Sequence, residues 1–189
     1  MKILIAIVML FAFVTTNAQL KIPKIKSAVS IKPDIEKVAK DYYQQFHNIT
    51  GDTLMRTSNS IEFRSKLLPV GAVNSSITKF IEPRTLSWQA VMFQAENFEE
   101  AVTKYKQYYR QLNGMSLNIG ELSNYKLIGE YDAPDEGRGF ASSILELQNS
   151  APHLKQFKIE IGLNYSLPEW TVKIMVYEKV ADEDVRPTM

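Results

Sequence analysis

Residues 97–114, NFEEAVTKYKQYYRQLNG, read as a helix at every level, and the rest of the chain can be arranged around them. Asn97 is an N-cap residue, and Glu100 stands three places on, where a carboxylate reaches back to the cap. Glu99 and Glu100 also lie at the positive end of the helix dipole. Phe98, Ala101, Val102, Tyr105, Tyr109 and Leu112 recur with the spacing of one buried stripe. Lys104, Lys106, Gln107 and Arg110 fall on the other side. Asn113-Gly114 closes the helix with residues that tolerate a left-handed backbone.

An earlier segment matches this one at a constant offset of 63 residues. Asp34 aligns with Asn97, Ile35 with Phe98, Val38 with Ala101, Ala39 with Val102, and Tyr42 with Tyr105. Phe46, Ile49 and Gly51 align with Tyr109, Leu112 and Gly114. A shared cap, stripe and terminal glycine predicts a first helix over 34–49 and a duplicated supersecondary unit.

Strand patterns follow each helix. SIEFRSKLL, SSITKFIE and LSWQAVMFQ come after the first. YKLIGEYD, FASSILELQ, QFKIEIGLNY and EWTVKIMVYEK come after the second, separated by turn-rich stretches such as APDEGRG. The expected fold is α+β: a duplicated α-β-β-β(-β) unit, its antiparallel sheet of about seven strands carrying both helices on one face. The repeats span 34–96 and 97–180 within a single domain, 34–180. In layout, through no motif, the plan is similar to secreted inhibitor proteins of tandem helix-plus-hairpin units, which grip an enzyme with a concave sheet. That likeness implies binding through the bare sheet face.

Residues 1–18, MKILIAIVMLFAFVTTNA, have the form of a secretory signal peptide: one lysine, an apolar run, and small residues before a cut after Ala18. The run from Ile3 to Val14 is shorter than the ~20 residues a membrane span needs, so no transmembrane segment is expected after cleavage. The expected location is periplasmic or extracellular. Residues 19–33 form a basic linker with Lys21, Lys24, Lys26 and Lys32, and residues 181–189 an acidic tail. The chain has no cysteine, so hydrophobic burial and not disulfides must hold it together. Beyond Ala18 it carries 21 basic and 21 acidic side chains, a balance that argues against a nucleic-acid partner.

Few residues support catalysis. With no cysteine, no G-x-S-x-G elbow and only His47 and His153, neither a nucleophile nor a metal centre is indicated, and no cofactor is expected. The acidic loop holding Glu130, Asp132, Asp135 and Glu136 departs from calcium-loop spacing, with Pro134 and Arg138 interrupting it. Aromatic and sulfur side chains are the richer signal. Tyr43 and Tyr108 lie off the buried stripes and suit an interface. Trp88, Met92, Trp170 and Met175 are candidates to line a pocket for an apolar ligand.

Three functions follow in rank. The first is an exported, non-catalytic interaction module that binds a protein or envelope component through the open sheet face or the helix tyrosines. The second is a carrier of a small apolar ligand between helices and sheet. The third is a hydrolase using the acidic loop.

Overall fold

The computed structural model describes residues 30–82, 84–119 and 124–179. The expected signal peptide, most of the basic linker and the acidic tail lie outside them. The described chain is α+β: two helices and a nine-stranded antiparallel sheet. Helix α1 (Lys32–Tyr42) precedes β1 (Thr50–Arg56), β2 (Ser60–Ser65), β3 (Asn74–Phe80) and β4 (Leu86–Ala95). Helix α2 (Phe98–Leu112) precedes β5 (Ser116–Asn118), β6 (Asn124–Ile128), β7 (Phe140–Leu147), β8 (Phe157–Ser166) and β9 (Glu169–Glu178). The order across the sheet is β1-β2-β3-β4-β9-β8-β7-β6-β5, so each half runs inward to a final strand and the two final strands meet at the centre.

All seven expected strands are present, and two more make the count nine instead of seven. Strand β1 begins directly after the expected first helix and takes in Gly51, read as that helix's terminal glycine. Strand β5 is a three-residue edge.

Helix α2 is as the sequence reads: Asn97 accepts a hydrogen bond from the Glu100 amide at 3.0 Å, and its C-terminal amide, on Asn113, bonds Tyr109 O. Helix α1 differs at both ends. It starts at Lys32, because Pro33 fits the first turn of a helix, where no amide donor is needed. Asp34 is therefore inside the helix and not its cap, and its carboxylate accepts from the Val70 amide at 3.0 Å. The helix stops at Tyr42 and not Ile49, because Gln45 and Phe46 turn left-handed, at φ 54° and 57°. That turn drives Phe46 into the core, edge-on to Tyr42 at 5.9 Å. Asp41 secures it: its carboxylate accepts from the Asn48 side chain and the Ile49 amide, and its carbonyl from the Phe46 amide.

One sheet face is the core. Trp88 and Ala90 of β4 line up with Val172, Ile174 and Val176 of β9 and with Ile159, Ile161 and Leu163 of β8, all buried. Each large aliphatic side chain so placed contributes about 1.5–3 kcal/mol. Both helices pack on this face. Tyr42 of α1 lies against Phe157 at 4.9 Å, and Tyr105 of α2 bonds Ser143 Oγ at 2.6 Å, with Phe157 and Ser143 on the same side of the sheet. The residue capping α1 also reaches α2, the Ile31 amide donating to Gln111 Oε1 at 3.0 Å.

Candidate functional site

The face away from the helices carries the alternate residues of each strand, and its two halves differ in chemistry. Over β2, β3 and β4 a groove of about 480 Å³ has a polar floor of Glu62, Arg64, Ser76 and Gln89. Gln89 Nε2 donates to Ser76 Oγ at 3.1 Å. Glu62 and Arg64 form no ion pair among the described residues. The rim is apolar: Leu54 from β1, and Leu68 and Val73 from the connection between β2 and β3, are 48%, 55% and 57% exposed.

That connection is fixed from below. Ser65 and Ser75 both donate to Leu67 O, at 2.9 and 2.8 Å, and the buried Trp88 indole donates to Ser65 Oγ at 3.1 Å. Leu68 and Val73 therefore project from a held loop. Leaving Leu68 and Val73 in water forgoes burial that residues of their type ordinarily obtain, and such patches mark binding surfaces.

The other half is polar. Ser142 donates to Glu160 Oε1 at 2.5 Å and Tyr177 to Glu160 Oε2 at 2.8 Å. Burial, and then this bond to a carboxylate, hold the Tyr177 phenol well above the ordinary tyrosine range. Beside it lies a groove of about 540 Å³ containing Ile128, Glu130, Asp132, Ile144 and Glu146. Gly129, which follows β6, lines it too, and any Cβ there would stand 2.0 Å from Ile144 O of β7.

The acidic loop converges only in part. Glu130 and Asp132 share this groove, whereas Asp135 accepts from the Gly137 and Arg138 amides as the cap of a short 3-10 turn and Glu136 is exposed on it. Asp132 is committed to the Arg138 guanidinium and the Ser142 amide, which hold its carboxyl below the ordinary aspartate range. A general acid needs the opposite displacement. No group of three or more metal-binding side chains occurs among the described residues.

The residues singled out from sequence scatter. Trp88, Met92 and Trp170 are buried on the helix-bearing face, Trp170 against Phe98 at 4.8 Å. Met175 points the other way, into the open face, with its methyl near Gly162. The four share no cavity among the grooves described. Tyr108 is corrected from an exposed to a buried side chain: 7% exposed, it turns its hydroxyl to Met92 O at 3.5 Å, because α2 buries Ala101, Tyr105, Tyr108 and Leu112. Tyr43 is 43% exposed, its hydroxyl 3.3 Å from His153 Nε2. Sequence reasoning missed Leu54, Leu68 and Val73. For Leu68 and Val73 the signal was a pair of apolar residues flanking the turn residues Pro69 and Gly71; Leu54 carried none.

The described residues contain no helix long and apolar enough to cross a membrane. The geometry defines an α+β sheet protein with an apolar-rimmed groove on its bare face. No family model matches the chain, and no curated protein or solved structure matches it either.

Proposed function

We propose that this is an exported, non-catalytic interaction module that binds a protein or envelope component through the bare sheet face, at the groove rimmed by Leu54, Leu68 and Val73. The observation that carries the reading is that rim: three exposed aliphatic side chains around a floor holding two charges without ion pairs. Apolar anchors supply affinity and the floor charges supply register, the usual division of labour at a protein interface. Export rests on residues 1–18, and the chain recovered outside the cytoplasm is expected to begin at Gln19 by N-terminal sequencing.

The same reading holds that the two halves are copies of one helix-then-strands unit. The mirrored strand order, running outward from β4 and β9, supports it. A photo-crosslinking side chain at position 68 tests the site. The expected result is one discrete adduct that Val73→Asp removes and that the same group at position 106, on the outer side of α2, does not form. Equal labelling from both positions, or none from position 68, refutes the reading.

A further inference from the structure

We propose that a third groove, under the turn 43–50, binds a small organic anion with an apolar or aromatic body. It lies on the helix-bearing side of the sheet, over β2, β3 and β4 and past the end of α1. The site is therefore separate from the bare-face groove and independent of the role proposed for it.

The floor is contiguous and apolar. Phe63 stands opposite Ile77 across β2 and β3, and Leu86 of β4, opposite Lys79, lies on the same face. The groove holds about 460 Å³, within the roughly 300–1,000 Å³ typical of small-molecule sites. Tyr43 adds an aromatic wall.

Charge then selects among ligands. Lys79 lies on the same face of β3 as Ile77 and lines the groove, with no ion pair among the described residues. His47 lines it too, and no carboxylate does. Asp41, behind the turn, has both oxygens engaged by Asn48 and Ile49. A cation over an apolar floor matches a ring or short chain ending in a carboxylate or sulfonate.

The wall is also built to keep its shape. Two successive non-glycine residues, Gln45 and Phe46, hold left-handed conformations, which cost free energy unless their surroundings impose them. Here the imposition is the wholly buried Phe46 ring and a 2.7 Å bond from Thr50 Oγ1 to Phe46 O. A wall already fixed loses little freedom when a ligand arrives.

Two dyes differing by one charge test the site: anilinonaphthalene sulfonate and uncharged phenylnaphthylamine, each titrated by fluorescence into the folded chain. Both are expected to bind. Lys79→Met should weaken the sulfonate about fivefold and leave the neutral dye unchanged. Leu86→Glu should weaken both, and Lys106→Met, which removes a charge from the far side of α2, should change neither. The neutral dye guards against misfolding, since a collapsed groove would lose both. The proposal is overturned if the native chain binds neither dye, if Lys79→Met and Lys106→Met act alike, or if Leu86→Glu has no effect.

Discussion

Phe46 offers a test in which glycine should outperform alanine. The ring is wholly buried, so Phe46→Ala should cost about 3–5 kcal/mol, a large share of the ~5–15 kcal/mol by which domains are stable. Phe46→Gly removes the same ring but also the Cβ that disfavours a left-handed backbone, a penalty of about 1–2 kcal/mol. Glycine's extra freedom in the unfolded chain takes back about 0.5–1 kcal/mol. The glycine variant should therefore be the more stable of the two by about 1 kcal/mol, whereas in an ordinary helix or strand it would be the less stable by a similar amount. Gln45, also left-handed and exposed, isolates the backbone part: Gln45→Gly should raise the melting temperature by about 2–4 °C. Urea denaturation measures all three, with a shift in midpoint at constant slope as the criterion. If Phe46→Ala equals or exceeds Phe46→Gly, or if Gln45→Gly destabilises, the left-handed turn is not what ends α1.

Three further outcomes are expected. Ser65→Ala deprives the buried Trp88 indole of its acceptor and should cost about 1–3 kcal/mol, read from the same denaturation curves; an unchanged midpoint would show that the indole finds another partner. Gly129→Ala forces a methyl against the Ile144 carbonyl and should cost about 3 kcal/mol or more, while alanine at Gly162, whose Cβ would meet only ordinary contacts at 3.6 Å and beyond, leaves stability within about 1 kcal/mol of native. Burial raises the pKa of Tyr42 and of Tyr105 to about 12, so the stability they contribute is complete below the ordinary tyrosine value near 10 and is lost as pH rises through 12. Phenolate absorbance followed alongside unfolding checks this, and full ionisation of all tyrosines near pH ~10 in a folded chain would contradict it.

Helix α2 was legible because its signals agree: the cap, the acidic first turn and the apolar spacing all specify the same element. The seven main strands were legible through alternation, most clearly in QFKIEIGLNY, whose Phe157, Ile159, Ile161 and Leu163 do face the core. The end of α1 was not legible. Phe46 continues the helical stripe in sequence, and neither Gln45 nor Phe46 is a residue type that announces a left-handed turn. Misreading that turn concealed β1 and gave Asp41 no role, although its carboxylate holds the turn together. Tyr108 was misplaced because Tyr105, Tyr108 and Tyr109 are equally apolar by type. Only the packing of α2 decides that Tyr108 is buried while Tyr109 lies half-covered beside Tyr131 at 5.0 Å. The bare-face groove escaped because its apolar rim comes from a strand and a connection that no periodicity links.

The central seam between β4 and β9 has a kinetic consequence. Ser87 must find Tyr177, and Ala95 must find Trp170, before the middle of the sheet can close. Pairings so distant along the chain delay folding, since a long loop of chain must be closed before it is rewarded. Deleting β9 would leave β4 and β8 as raw edges at once, disabling both halves together.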